Sequence, residues 1–163
     1  MNMNLKKLLA FGLIALTLTG CGGNKKESVG GQDVEIAEVA GSAAYFRTNV
    51  NCVIYFEYDS DAVTPEAKIR LDEQIEFMKK YPETKYTIEG NCDVRGTVEY
   101  NLALGERRAN AVCKYIVDQG ISSDRILVKS NGKSCASDGG SEEMYAKDRN
   151  ATTICTVDSP ETN

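Results

Sequence analysis

One continuous run, residues 90–112, limits what this chain can fold into more than any other part of the sequence. It reads GNCDVRGTVEYNLALGERRANAV, which predicts the end of a strand, a glycine-containing turn and then a helix. Asn101, Leu104 and Arg108 are spaced i, i+3 and i+7, so they share one face of that helix. An apolar stripe beside this face is expected to dock on the core, and it comprises Leu102, Gly105, Ala109, Val112 and Ile116.

The docked helix is predicted to hold Arg108 at the seam, where it faces Asp93 in the preceding turn. A guanidinium binds a carboxylate through two parallel hydrogen bonds, and a carboxylate binds an ammonium group. The two side chains together therefore suit a zwitterionic ligand that carries both an amine and a carboxylate. The residues alone leave a structural alternative open, in which an internal Asp93–Arg108 salt bridge closes the turn onto the helix.

Length, charge and missing residue types exclude several classes of function. The 163 residues are enough for one domain with a substantial core. The formal net charge is −5 and no basic block is present, which argues against a nucleic-acid partner. Because the sequence has no histidine, it can form no histidine base, no Ser-His-Asp triad and no histidine-ligated metal site.

The other predicted elements alternate between strands and helices. Threonine at 64 and proline at 65 predict the start of a helix that ends at Tyr81-Pro82, and a short helical turn is expected over 142–150. Strands are predicted over residues 52–58, 85–90, 126–130 and 151–157. The order β-α-β-α-β-β is typical of an α/β fold, here a two-layer α+β sandwich with helices on one face of a mixed four-stranded sheet.

The N-terminus has the features of a targeting sequence. Two lysines precede an apolar run over residues 8–19, and residues 1–20 are interpreted as a signal peptide. Leu18-Thr19-Gly20-Cys21 resembles the bacterial lipobox, in which the cysteine is lipidated, with palmitate among its acyl chains, and becomes the new N-terminus. An ordinary signal peptide followed by an unrelated cysteine is the alternative. Several acyl chains, at about 0.8 kcal/mol per buried methylene, anchor a protein firmly to a membrane.

The segment after the lipobox is small and polar. Residues 21–45 are predicted to form the lipidated N-terminus and a flexible tether, because no hydrophobic period is sustained there. The folded domain is predicted over 46–158, and residues 159–163 are expected to be a frayed tail. Glycine rather than aspartate follows Cys21, which favours the outer membrane over retention at the inner membrane.

The run 90–112 closely resembles the OmpA C-terminal-like domain family. The matching residues are the turn aspartate, Gly-Thr, Glu-Tyr-Asn and Leu-Gly-Glu-Arg-Arg-Ala-Asn-Ala-Val, and the aromatic-x-aromatic-Asp-Ser segment at 56–60 resembles the family as well. A weaker similarity extends over about residues 53–157. The resemblance implies the family fold, in which the last strand lies between the first and the second.

The resemblance also implies a ligand, because the family binds the stem peptide of peptidoglycan, chiefly its meso-diaminopimelate residue. The positions that match the family's binding residues are Asp93, Gly96, Thr97, Asn101, Leu104, Arg108 and Arg149. Arg108 is expected to bind the ligand carboxylate, and Asp93 to bind the ammonium or to orient an arginine. Arg95 and Arg107 are left open between ligand contact and solvation. The sequence departs from the family at Asn91-Cys92 and around Arg149, at the rim of this site.

The function implied by the resemblance is a non-catalytic tether between the outer membrane and the cell wall. The implied partners are peptidoglycan, the membrane bound through the lipid anchor, and TolB with other Tol proteins, in envelope integrity and cell division, and no cofactor is needed. One alternative is a lipoprotein of this fold that has lost wall binding and acts as a surface antigen or assembly factor. Another is a wall hydrolase using two of the four acids Asp59, Asp61, Glu89 and Asp93, although nothing in the sequence places any two as an acid/base pair.

Five cysteines remain once Cys21 is set aside, so at least one thiol stays unpaired in a monomer. The strand order implied by the resemblance brings Cys52 near Cys155, and it puts Cys92 and Cys135 in loops at the same end of the sheet. Both pairs are predicted as possible disulfides in an envelope protein. The alternatives are five reduced packing residues or, less favoured because no CxxC pair exists, a metal site.

Overall fold

The computed structural model describes residues 41–156. The predicted signal peptide, Cys21, the tether up to residue 40 and the tail at 159–163 lie outside the described residues. The helices are α1 (Ala43–Asn49), α2 (Pro65–Lys80), α3 (Val98–Asp118) and α4 (Glu142–Asp148), with one 3-10 turn at Ser123–Arg125. The strands are β1 (Val53–Tyr55), β2 (Lys85–Asn91), β3 (Ile126–Gly132) and β4 (Asn150–Thr156).

The four strands form one mixed sheet in the order β1-β4-β2-β3. Strand β4 runs antiparallel to both β1 and β2, whereas β2 and β3 are parallel. The last strand therefore lies between the first and the second, which confirms the predicted topology. The β2–β3 register shifts between Gly90 and Asn91, at the end of the sheet where the turn 92–97 begins.

Helices α1, α2 and α3 cover one face of the sheet. Along β2 the buried residues alternate with partly exposed ones, so Tyr86 and Ile88 point into the core and Glu89 does not. The core joins the strands to the three helices, and its members include Phe46, Ile54, Leu71, Ile75, Met78, Ala109, Val112 and Ile116. Within residues 41–156, no helix is both long enough and apolar enough to cross a membrane.

Local sequence signals account for the helix starts. The Thr64 hydroxyl accepts a hydrogen bond from the backbone N–H of Ala67 at 3.2 Å, and Pro65 occupies the first helical position, as predicted. The Thr97 hydroxyl caps α3 in the same way, accepting from Tyr100 at 3.1 Å. These caps set where α2 and α3 begin, and the α3 cap lies directly after the turn that carries Asp93.

Helix α1 was not predicted, because residues 43–45 were assigned to the tether. The Ser42 hydroxyl caps this helix. The ring of Phe46 then packs against Phe77, with 4.9 Å between ring centroids, and against Tyr86 at 5.4 Å. A seven-residue helix carries too few turns for a periodic pattern, so its stability comes from this aromatic packing. The folded part of the chain therefore begins before residue 46.

The predicted apolar stripe of α3 is confirmed at Gly105, Ala109, Val112 and Ile116 and is wrong only at Leu102. Leu102 is 43% exposed, whereas Leu104 is 4% exposed and Arg108 is fully buried. The helix docks through Gly105, which meets the backbone of Gly90 in β2. A Cβ on Gly90 would lie 1.8 Å from the Gly105 carbonyl oxygen, so helix and strand approach too closely for any side chain at that point.

We expect Gly90→Ala to reduce the free energy of unfolding by about 3 kcal/mol, because the added methyl group forces α3 away from β2. Urea unfolding followed by circular dichroism measures this change. Gly140→Ala is the matched control, since a Cβ there meets no atom within 4 Å, and its effect should stay within about 0.5 kcal/mol. Equal stability of the two variants would contradict the close-approach account.

Candidate functional site

One small cleft, with a volume of about 60 Å³, lies between the turn 92–97, the first half of α3, the segment after β1 and the start of β4. Six of the seven predicted binding residues line it, namely Asp93, Gly96, Asn101, Leu104, Arg108 and Arg149. The seventh, Thr97, caps the adjoining helix. The fold thus brings the predicted residues to one place, although Asp93 and Arg108 form no salt bridge with each other.

The carboxylate of Asp93 is buried and is bound by two arginines. Its Oδ2 accepts from Arg95 Nη2 at 2.6 Å and from Arg149 Nη1 at 3.4 Å. Its Oδ1 accepts from the backbone N–H of Arg95 at 3.1 Å and from Arg95 Nε at 3.2 Å. Burial opposes the charge, but these hydrogen bonds outweigh burial, so the pKa of Asp93 is lowered. In this structure Asp93 orients arginines, which is one of the two roles predicted for it.

The guanidinium of Arg108 is fully buried and is held by backbone carbonyl oxygens. Nε donates to Ser60 at 2.9 Å, Nη1 to Asn91 at 2.8 Å and Nη2 to Glu57 at 3.2 Å. The Arg108 Cζ also lies 5.2 Å from the centroid of the Phe56 ring. Burial lowers the pKa of Arg108, but an arginine remains protonated at neutral pH.

The charge of Arg108 has no carboxylate partner within residues 41–156, so the internal Asp93–Arg108 salt bridge left open by the sequence is not formed. A guanidinium has five N–H groups, and the three carbonyl oxygens take one each. Arg108 also has the Cys92 sulfur as a side-chain hydrogen-bond partner, and both residues line the cleft. A buried cation without a carboxylate partner favours an anion, and a carboxylate fits its geometry best.

The turn between β2 and α3 is fixed by Asn101 and Gly96. The Asn101 amide donates to the carbonyl oxygen of Arg95 at 2.7 Å and to that of Thr97 at 3.0 Å. Gly96 has φ +89°, a conformation that glycine adopts without strain. Leu104 is 4% exposed and lines the cleft from α3. These predicted residues therefore shape the cleft and position its charged members.

Arg95, which the sequence left open, belongs to the site. Its guanidinium lies between two aromatic rings, with Cζ 4.3 Å from the centroid of Tyr58 and 4.4 Å from that of Tyr145. It also pairs with Glu142 at 3.2 Å. Arg107 does not line the cleft, but its Cζ lies 5.9 Å from the ring centroid of Tyr100, which does, and its Nε lies 3.9 Å from Asp61 Oδ2. A signal for Arg95 was present in the sequence, because it lies two residues after Asp93 in the same turn.

Two acidic residues complete the rim and were not predicted as binding residues. Glu142, at the start of α4, accepts from Arg149 Nη1 at 2.8 Å and so connects α4 to the ion pairs of Asp93. Asp59 has φ +52° and accepts a hydrogen bond from the Tyr100 hydroxyl. A non-glycine residue in this left-handed region beside a cleft is uncommon and marks a locally constrained loop.

All five cysteines within residues 41–156 are free thiols in this structure, so neither predicted disulfide is formed in it, and the Cys52–Cys155 bond stays a prediction. The Cys92–Cys135 prediction is corrected by burial, because the Cys92 thiol is buried and donates to the Asn101 carbonyl oxygen at 3.3 Å while Cys135 is exposed. Cys52 donates to the Val50 carbonyl oxygen at 3.2 Å. Cys52 and Cys155 nevertheless line the same cavity.

Comparison with known proteins identifies similar chains. A family model described as the OmpA family matches residues 55–149. The peptidoglycan-associated lipoprotein of Rhizobium meliloti (strain 1021) is 39% identical over 124 residues, covering 74% of this chain and 70% of that protein. The protein of the same name from Pasteurella multocida (strain Pm70) is 36% identical over 147 residues, covering 90% of this chain and 94% of that one.

The similarity extends to solved structures. The crystal structure of the peptidoglycan-associated lipoprotein from Burkholderia pseudomallei superimposes with a TM-score of 0.63 and 33% sequence identity, covering 65% of this chain and 91% of that one. The C-terminal domain of Helicobacter pylori MotB has a TM-score of 0.61 at 19% identity, which shows a shared fold alone.

The ion pairs of Asp93 predict a pH dependence of stability. Because the folded-state pKa of Asp93 is lowered, its stabilising contribution is present above its ordinary value of 3.8 and is lost as the pH falls through the lowered value. We expect the free energy of unfolding of the wild type to exceed that of Asp93→Asn by a constant amount from pH 7 to about 5, and this gap to shrink below about pH 4.

Urea unfolding at a series of pH values measures this gap. Asp118→Asn is the control, because Asp118 pairs with Lys114 at an exposed position on α3, where an ion pair contributes little at any pH. A gap for Asp93→Asn that is unchanged at pH 3 would contradict the role given to the Asp93 ion pairs.

Proposed function

The chain belongs to the OmpA family, and from that premise we propose that it is a non-catalytic outer-membrane lipoprotein that binds peptidoglycan. The names of its relatives and of the solved neighbour support this proposal. The single observation that carries it is the buried Arg108, a cation without a carboxylate partner among the described residues, placed beside Asp93 in one cleft.

The proposed ligand is the meso-diaminopimelate residue of the stem peptide. Its side chain ends in an ammonium and a carboxylate, and the proposed partner of that carboxylate is Arg108. The ammonium is then next to Asp93, at the other side of the same cleft. Because Arg108 has no exposed surface, binding requires rim side chains such as Tyr58 and Tyr100 to move apart.

The expected affinity of a single site is modest. Hydrogen bonds to charged groups contribute roughly 1.5–3 kcal/mol each, and the site offers two or three of them. A lipid anchor at Cys21 and a tether from there to residue 41 would hold the domain beside a repeating polymer. The effective concentration of stem peptides at the site is then high, so weak individual contacts suffice for a lasting attachment.

The proposed setting is a Tol-Pal system, in which the protein contributes to envelope integrity and cell division and TolB competes with peptidoglycan for the same surface. The family relationship supports this role. The lipobox-like segment ending at Cys21 and the glycine that follows it support attachment to the outer membrane, with the domain in the periplasm.

A second candidate function has a specific observation in its favour. The charged groups of the cleft already have internal partners: Asp93 is bound by Arg95 and Arg149, and Arg108 is bound by three carbonyl oxygens. A lipoprotein of this fold that has lost wall binding, and serves as a surface antigen or assembly factor, would look the same. A binding experiment with purified sacculi distinguishes the two functions.

The geometry gives no support to a hydrolase. The carboxylates of Glu89 and Asp93 each have a lowered pKa, in Glu89 because Lys129 and Asn131 bind it, and a general acid needs a raised pKa. Glu89 also pairs with Lys129 at 2.9 Å on the sheet face opposite the core. These acids therefore do not form the pair of carboxylates that wall hydrolysis requires.

Sacculus binding tests the role of Arg108. We expect Arg108→Ala to abolish co-sedimentation with purified sacculi, and Arg108→Lys to weaken it at least about tenfold, because lysine keeps the charge but loses the bidentate geometry. Lys114→Ala is the matched control, since Lys114 is an exposed cation on the same helix that pairs with Asp118 outside the cleft, and this variant should bind as the wild type does. Circular dichroism confirms that each variant is folded, and wild-type binding by folded Arg108→Lys would refute the assignment.

Competition with soluble muropeptides tests the identity of the ligand. Fragments that carry meso-diaminopimelate should displace the protein from sacculi, whereas fragments with lysine at the same position should not, because lysine lacks the terminal carboxylate that Arg108 binds. Equal competition by the two fragments would exclude diaminopimelate as the recognised group while leaving wall binding itself intact.

A further inference from the structure

Two cysteines far apart in the sequence lie on neighbouring strands near the point where the chain enters the domain. Val53 of β1 is paired with Thr152 of β4, and the backbone N–H of Thr153 donates to the Cys52 carbonyl oxygen at 2.9 Å. Cys52 therefore lies opposite Thr153, and Cys155 follows two residues later on the same face of β4. The two cysteines are diagonal neighbours across the β1–β4 pair, where Cα atoms are typically about 7–8 Å apart.

Cys52 and Cys155 line a common cavity of about 120 Å³ beside the β1–β4 pair. The cavity is also lined by Phe46 and Thr153, and the Thr153 hydroxyl is buried without a hydrogen-bond partner among the described residues. The cavity leaves space between the side chains at this place, which a change of the Cys52 and Cys155 rotamers could use. Cys52 precedes β1 and belongs to no strand, so its backbone can make the small approach that a disulfide needs.

The contacts of Cys52 do not oppose that movement. Its thiol donates to the Val50 carbonyl oxygen at 3.2 Å and to the Phe46 carbonyl oxygen at 3.7 Å, and a thiol is a weak donor. Burial raises the pKa of the Cys52 thiol and of the Cys155 thiol. Because the thiolate is the reacting form, these raised pKa values and the partial burial slow exchange, so a bond formed here would be a slowly exchanging, structural one.

We propose that Cys52 and Cys155 form a structural disulfide that fastens the entry of the chain to the sheet, an inference that rests on the proposed function for its oxidising compartment. The two thiols lose two protons and two electrons as the S–S bond forms. The oxidant is the disulfide of a dithiol–disulfide oxidoreductase, which accepts them and leaves as a dithiol through exchange.

The position of this bond suits a protein that is pulled by its N-terminus. A load from the tether enters the domain through α1 and then β1, an edge strand of three residues that pairs only with β4. Without the disulfide, three residue pairs of β1 and the packing of α1 carry that load. With it, the load passes directly from residue 52 to residue 155 in a strand that is paired on both sides.

The full chain, expressed in a bacterium and extracted from its envelope without reductant, provides the test. Free thiols are alkylated in denaturant, and peptide mapping then identifies the modified cysteines. We expect Cys92, Cys113 and Cys135 to be alkylated and Cys52 and Cys155 to be recovered as one linked peptide. We also expect reduction to lower the Tm by about 10 °C, because the cross-link restricts the unfolded chain.

Two variants test whether the change in Tm on reduction comes from the Cys52–Cys155 bond. Cys52→Ser should remove the difference in Tm between reduced and unreduced protein, whereas Cys113→Ser, which removes a partly buried helical thiol, should retain it. Alkylation of Cys52 and Cys155 in unreduced protein, or a linkage of either to Cys135, overturns the proposal. Sacculus binding is measured on the same samples, so a linked protein that does not bind the wall refutes the proposed function and leaves the disulfide standing.

Discussion

The buried guanidinium of Arg108 is the constraint on which the site end of the fold depends. A buried charge is costly unless hydrogen bonds compensate it, and here the compensation comes from main-chain oxygens of Glu57, Ser60 and Asn91. These carbonyls belong to the segment after β1 and to the last residue of β2. The side chain of Arg108 on α3 therefore sets the distance from this helix to both the segment after β1 and the end of β2. The close contact of Gly105 with Gly90 sets the depth of that helix and completes the geometry.

The sequence predicted the elements whose signals are local or periodic. The Thr64-Pro65 start of α2 and the strand pattern of β2 are both found in the structure, and so is the sheet order that the family resemblance implied. Helix α1 could not be predicted, because its seven residues show no period and its stability comes from contacts of Phe46 made elsewhere in the chain. Leu102 lies at the edge of the stripe formed by Gly105, Ala109, Val112 and Ile116, and only tertiary packing decides whether a residue at that edge is buried.

The residues that line the site were predictable from the sequence, but the hydrogen bonds and ion pairs between them were not. The motif brought Asp93, Asn101 and Arg108 to one cleft. Three arginines line that cleft, however, and the one that binds Asp93 most closely is Arg95. Arg95 lies in the same turn as Asp93, so its side chain reaches both carboxylate oxygens. Glu142, which pairs with Arg95 and Arg149, lies on α4. No spacing in the sequence indicates where that helix packs. Distances between loops depend on the whole fold, which is why these contacts appear only in the structure.

The closed ion pairs also determine how a zwitterionic ligand would be recognised. An incoming ammonium must replace a guanidinium at Asp93, which exchanges one cation for another and gains little net electrostatic energy. The displaced Arg95 keeps Glu142 and the rings of Tyr58 and Tyr145 as partners, so its release is tolerated. The favourable electrostatic energy of binding would therefore come mainly from Arg108, whose charge has no carboxylate partner among the described residues before binding. Under the proposed function, a site built in this way would discriminate mainly by the ligand's carboxylate and would bind each copy weakly, which suits attachment to a polymer with many copies.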